Sequence, residues 1–297
     1  MAIAEAQLDT WAKQGSVTQS QATYATVRSC LEATDAPYAA RFKSIFLQGS
    51  YGNDTNIYAD SDVDVVIATS SIYYYGTSDL KPDEVTAFKA GLASGGGYTY
   101  DKFKAEVVAQ LTKKFGTSVK PGKKAIFIPG NSSRRDADVL AAVEYRRYTR
   151  FRSDADNHYY EGITFWTTDG VQIINYPKHH SANATTKHQN TKSWFKPTVR
   201  IFKNMRNAMV AKGYLVAGTA PSYFLEGMLY NVPDNLFGGS YENTCVNVIN
   251  WLAKCDRDKL LCANELHWLL RSNSKVSWNP ADFETYIAAV IKFWQAS

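Results

Sequence analysis

Apolar positions along the chain keep two different periods. In the first forty residues, short apolar insertions sit among alanines and polar side chains. There is no proline before Pro37 and no glycine between Gly15 and Gly49, a pattern that predicts helices. Residues 44–50 (SIFLQGS) predict a short strand ending in a glycine turn, and residues 63–68 (VDVVIA) predict a β-branched strand after a polar loop. Pro82, followed by Asp83 and Glu84, marks a helix start within 79–94. Phe103, Val107, Leu111 and Phe115 recur every fourth residue, so an amphipathic helix covers 100–115. Strand-like runs return at 125–128, 137–145, 162–166 and 171–175, whereas Tyr73-Tyr74-Tyr75-Gly76 and Gly95-Gly96-Gly97 read as loop features.

From Trp194 onward the period is helical. Phe195, Val199, Phe202, Met205 and Met209 share one face of a helix whose other faces are basic, and helices follow at 222–232, 245–255 and 280–294. In the last of these Asn279 can cap, Pro280 takes the first helical position, and Phe283, Ile287, Ile291 and Trp294 form the predicted buried stripe. The uniformly polar stretch 176–193, with His179, His180 and His188, reads as an exposed connecting loop. A mixed strand–helix half therefore precedes an all-helical part, giving expected domains 1–180 and 181–297.

Composition narrows the class. The chain has 297 residues, enough for a substantial core, and 45% hydrophobic with 21% charged residues excludes wholesale disorder. Ordinary Gly, Pro and Cys counts exclude collagen-like and disulfide-scaffold classes, and no apolar run approaches the length of a membrane span. Glu5 and Asp9 with no apolar core argue against a signal peptide, and Cys30, Cys245, Cys255 and Cys262 form no CxxC pair, so reduced thiols in a cytoplasm are expected. Cys255, Cys262 and His267 fit no standard zinc spacing. A net charge of +5 permits a polyphosphate or nucleic-acid partner without demanding one.

The stretch from Phe46 to Ile67 carries the chemistry. A strand runs into Gly49-Ser50, and a second strand carries Asp62 and Asp64, which share a face because strand side chains alternate. Carboxylates so close repel unless a cation lies between them, and magnesium suits paired oxygen ligands beside a phosphate. Gly49 lets backbone approach a phosphate, and Ser50 offers a hydroxyl and an N–H. A two-metal site needs one more carboxylate, and the strand-like segment after Arg134 offers Asp136 and Asp138. Asp60 lies in phase with Asp62 and Asp64, so spacing alone does not select the pair.

Gly49-Ser50 with Thr55 and Ser61-Asp62-Val63-Asp64 resembles the signature of the polymerase-β-like nucleotidyltransferases, and more specifically of the cGAS/DncV-like enzymes (CD-NTases), in flavour their bacterial CdnE-like branch. Residues 137–147, 175–179, 195–203 and 221–233 are similar to further segments of that family, so the match spans 46 to 233; one departure is Val139-Leu140-Ala141, where many relatives carry proline. The resemblance implies an α/β fold: a polymerase-β-like core, a twisted mixed sheet with helices, plus a C-terminal helical lobe. It implies that Asp62, Asp64 and Asp138 hold two Mg2+ ions, with Mn2+ able to substitute, and that Asp136 is a neighbour. Gly49 and Ser50 would grip the triphosphate, Lys203 and Ser222 would reach its far phosphates, and Tyr223 would stack on a base.

Arg200 and Lys203, three residues apart, extend to Lys196 as a basic face that solvent or an anionic ligand would occupy, and Asn175 is either a base reader or a turn residue. The implied activity is synthesis of a cyclic di- or trinucleotide from NTPs, sensed by a downstream effector in bacterial anti-phage signalling. An RNA-tailing or small-acceptor transferase on the same core, or a silent nucleotide sensor, are the competing readings. No membrane association and no stable nucleic-acid partner are expected, and a monomer is favoured.

Overall fold

The computed structural model describes residues 3–15, 17–41, 43–58, 62–92 and 96–296; Asp60, Ser61 and Gly95 lie outside the described residues. In chain order the helices are α1 (Glu5–Ala12), α2 (Thr18–Leu31), the single turn α3 (Gly49–Gly52), α4 (Pro82–Ala90), α5 (Tyr100–Phe115), α6 (Pro177–Asn190), α7 (Phe195–Ala211), α8 (Ser222–Tyr230), α9 (Tyr241–Leu252) and α10 (Pro280–Ala296). The strands are β1 (Lys43–Leu47), β2 (Val63–Gly76), β3 (Lys120–Pro121), β4 (Ile126–Ile128), β5 (Ala137–Ser153), β6 (Asp156–Trp166) and β7 (Gln172–Asn175). Contacts divide the chain into a sheet unit, residues 18–48 and 62–176, and a helical unit, residues 1–17, 49–61 and 177–297.

The sheet runs β1-β2-β5-β4-β3, with β6 added to β5 and β7 to β6. β2 and β5 are parallel, while the remaining pairs are antiparallel. Val63, Val65, Val66 and Ile67 of β2 and Val139 to Val143 of β5 are all buried, the continuous apolar run of strands covered on both faces. α2 packs on β1, β2 and α5, and α5 packs on β5 through the predicted spacing of Phe103, Val107 and Leu111. α5 starts at Thr99, whose hydroxyl accepts from the Lys102 N–H at 3.2 Å.

Three strands outrun their sequence signals: β2, β5, which runs on to Ser153, and β6, which begins at Asp156. β2 continues through Tyr73-Tyr74-Tyr75-Gly76, which is therefore strand and not loop, pairing with residues 144–147 of β5 after a bulge between Thr69 and Tyr73. The apolar support for these tyrosines is distant in sequence: Tyr74 packs on Trp166 and Tyr75 on Phe88 of α4.

The helical unit closes around α7, whose Phe195, Val199, Phe202, Met205 and Met209 are fully buried against residues of α1, α8, α9 and α10. The stretch 176–193 is not a connecting loop but contains α6. Its periodicity is hidden because the inward positions are largely polar, His180 and Lys187 with Ala184; Lys187 donates to the Val232 carbonyl and pairs with Asp234. His180 is buried rather than exposed, and His179 and His188 are half-buried. On α10 the buried stripe is Phe283, Tyr286, Ile287, Val290 and Phe293, with Ile291 and Trp294 only partly covered. The four cysteines are unpaired and only Cys255 is not buried. No helix among the described residues is long and apolar enough to cross a membrane.

The position of the α10 stripe is testable: Phe293→Ala should cost about 3–5 kcal/mol in urea denaturation, the usual cost of deleting a buried ring, and Ile291→Ala clearly less.

Candidate active site

In the sheet unit, parallel pairing sets Asp64 directly beside Asp138, with Val63 beside Ala137. The Val63 N–H donates to the Asp136 carbonyl at 3.0 Å, which extends the ladder one step before the strand and holds Asp62 at its mouth. Register partners on adjacent strands project to the same face, so Asp64 and Asp138 stand side by side. Asp62, two residues earlier, is exposed just outside β2, while Asp64 and Asp138 are half-buried.

Burial pushes the Asp138 carboxyl above its ordinary value, and the negative charges of Asp62 and Asp136 push it further. Asp136 is differently engaged, since one of its oxygens accepts from the Gly130 N–H at 2.6 Å. Among the described residues no group of three or more His, Cys, Asp or Glu side chains is placed to hold a metal ion. What these residues offer a divalent cation is donor chemistry alone: hard carboxylate oxygens, with the Asp138 carboxyl raised in part by the charges of Asp62 and Asp136. Asn175 ends β7 opposite Ile163, and its carbonyl would lie 2.8 Å from any Cβ at Gly162, which explains glycine there.

β1 ends beside the same carboxylates, for the Gln48 N–H donates to the Asp64 carbonyl at 3.0 Å. The next residue, Gly49, adopts φ +65°, a left-handed conformation that favours glycine, and opens α3. Within the helical unit the turn is closed by Asn53 N–H to Gly49 carbonyl (3.1 Å) and Thr55 N–H to Ser50 carbonyl (2.9 Å).

Three basic residues of α7 hold this segment. Lys203 is fully buried and donates to the Thr55 carbonyl at 3.0 Å, Lys196 pairs with Asp54 at 2.9 Å, and Arg200 donates to the Asp54 carbonyl at 2.7 Å and to the Ala12 carbonyl. The expected basic face is thus drawn onto residues 54–55 and is not a solvated surface. Ser222 accepts from Arg206 at 3.0 Å, and Tyr223 stacks on His180 with ring centroids 5.0 Å apart while its hydroxyl accepts from Asn264.

Glu226 and its partner His180 were invisible as site residues in the sequence. Glu226 is 3% exposed and accepts from Thr55, Asn53 and His180. The available signal was an acid at an inward position of the otherwise apolar helix 222–230. Burial alone would raise its carboxyl, but the hydrogen bond and charge of His180, the Thr55 hydroxyl and the Lys203 charge outweigh that and hold it below its ordinary value.

The model of the cGAS/DncV-like nucleotidyltransferase C-terminal helical domain matches residues 182–295. The cyclic UMP-AMP synthase of Rhodothermus marinus is 38% identical over 89% of this chain and 88% of its own length. The cyclic nucleotide synthase CdnE01 of Staphylococcus haemolyticus is 34% identical, covering 99% of both chains. The structure of the Rhodothermus marinus CdnE c-UMP-AMP synthase with Apcpp and Upnpp superposes with a TM-score of 0.88 at 34% identity, covering 99% of this chain and 97% of that one.

A depressed folded-state carboxyl contributes stability that is complete above the ordinary glutamate value of 4.5 and is lost as pH falls through the lower folded value. The melting temperature of the wild type should therefore drop more than that of Glu226→Gln, which lacks this titration, as pH is lowered from about 5 to well below 4.5.

Proposed function

The chain belongs to the cGAS/DncV-like nucleotidyltransferases, in their CdnE-like branch, and from this premise we propose that it joins nucleoside triphosphates into a cyclic di- or trinucleotide. The observation that carries the reading is the parallel register that sets Asp64 beside Asp138, with Asp62 at the mouth of the same strand and Gly49-Ser50 immediately after the neighbouring one. The synthases to which the chain is similar support the cyclic product.

Asp62, Asp64 and Asp138 would hold two divalent cations, Mg2+ or Mn2+, which when bound stabilise charge on both the attacking and the leaving oxygens. Asp138 accepts the proton of the attacking ribose hydroxyl. The new O–P bond forms at the α-phosphorus as the bond to pyrophosphate breaks in line with it. Gly49 leaves room for the triphosphate, and the Ser50 N–H and hydroxyl donate to it. Lys203 places one positive charge against the Thr55 carbonyl of the same segment, and Lys196 and Arg200 fix Asp54 beside it. Ser222 supplies a further hydroxyl, Tyr223 a face for the base, and Asn175 an amide edge for reading it. A second attack within the linear intermediate closes the ring.

The product serves a downstream effector in bacterial anti-phage signalling, and four unpaired cysteines support a reducing, cytoplasmic setting.

The purified protein, given all four NTPs and Mg2+, should yield a phosphatase-resistant product. EDTA should abolish it, Mg2+ or Mn2+ should restore it, and Asp138→Asn should lower the rate by on the order of 10²–10⁴-fold, the worth of a positioned proton acceptor. Extension of RNA primers with no phosphatase-resistant product would make the protein a tailing enzyme and sink the synthase reading.

A further inference from the structure

Glu226 joins two parts of the helical unit that the proposed reaction uses for different ends of one nucleotide. Its Oε1 accepts from Thr55 Oγ1 at 2.5 Å, and its Oε2 accepts from Asn53 Nδ2 at 2.8 Å and His180 Nε2 at 2.7 Å. An ionised carboxylate has only acceptor sites, so all three partners must donate, and His180 does so through its Nε2–H. His180 Nδ1 has no hydrogen-bond partner among the described residues. One edge of the ring is therefore held by Glu226, and one face lies against Tyr223 at an interplanar angle of 29°.

On the other side the link to Ser50 is two bonds long. Glu226 holds the Thr55 hydroxyl, and the Thr55 N–H holds the Ser50 carbonyl at 2.9 Å. The Thr55 carbonyl is anchored separately, by Lys203. A buried charge is a poor way to gain stability, because apolar side chains of similar volume do as well or better. What a carboxylate adds is direction: three donors from the 53–55 segment and α6 must converge on one group of α8.

We propose that Glu226 is a positioning residue for nucleotide binding. It holds the turn that presents Ser50 and, through His180, the ring of Tyr223, and so sets the span from triphosphate to base. This rests on the reading in which Gly49 and Ser50 hold the triphosphate and Tyr223 the base.

The test measures binding of a non-hydrolysable NTP and of inorganic tripolyphosphate, together with melting temperature, on the wild type and five variants. Glu226→Gln puts an amide donor against the three donors and should weaken binding of both probes about tenfold, the effect of one charge-assisted hydrogen bond. Thr55→Val should do the same, while Thr55→Ser, which keeps the hydroxyl, should recover most of the loss. The Glu226→Gln/Thr55→Val double variant should bind no worse than the weaker single variant, because both cut one link. His180→Ala should weaken the NTP and spare tripolyphosphate, which has no base.

Variants that melt earlier yet bind like the wild type, or single effects that multiply in the double variant, overturn the proposal and leave Glu226 a structural residue. Equal weakening of both probes by His180→Ala overturns the coupling to Tyr223. Should Glu226→Gln not fold, equal binding by Thr55→Val and Thr55→Ser decides against the proposal. A wild type that binds neither probe overturns the reading of the turn itself, whereas binding by the wild type with unaffected variants overturns only the role of Glu226.

Discussion

The parallel register between β2 and β5 is the constraint on which the candidate chemistry depends. A shift of one residue would turn every side chain of one strand to the other face, taking Asp138 away from Asp64 and placing buried valines toward the acidic side. A slip would also carry an acid among the covered positions of the strands, since Val63, Val65 to Ile67 and Val139 to Val143 are all buried. The acids are therefore aligned by residues with no chemistry of their own. Burial is the main cause of the raised carboxyl of Asp138, and the charges of Asp62 and Asp136 add to it.

Much of this was legible in the sequence, for identifiable reasons. β2, α5 and α7 carry regular apolar spacing, and Asp62 and Asp64 share a phase that can be counted, whereas Asp138 was separated from Asp136 only by the family resemblance. The helix α6 was not legible, because the groups it buries, His180 and Lys187, are polar and satisfied by partners far along the chain. The length of β2 was hidden for a related reason, since Tyr74 and Tyr75 depend on Trp166 and Phe88. The basic residues of α7 have helical spacing, but nothing local says that Lys203 faces inward to the Thr55 carbonyl. Apolar periodicity reports burial only where burial is apolar, so the part of the candidate site built from satisfied polar groups is the part that pattern reading loses.

That polar interior gives the helical unit a different character from the sheet unit. In the sheet, position follows from backbone pairing. In the helical unit, the described residues after Gly49 pair with no strand, and beyond the Gly15 N–H to Asn56 carbonyl bond they are held by side chains: Glu226, Lys203, Lys196 and Arg200 address Asn53, Asp54 and Thr55 individually. Asp54 adopts φ +55°, a conformation costly for a non-glycine residue and sustained here by these bonds. A segment held in this way is specific in geometry and sensitive to single substitutions.

The interleaving of the two units along the chain also orders their birth on the ribosome. Every residue of the sheet unit has been synthesised once Tyr176 is added, so its core can close while translation continues. The helical unit takes in α1 and the 49–61 segment at the outset but lacks α6 to α10 until residues 177–297 are added. During that interval the nascent chain carries Leu8 and Ala12 of α1 without the α7 residues that cover them, and also Thr55 and Asn56, all of which are buried in the finished unit. Neither unit is a contiguous stretch, so no single cut yields one of them whole.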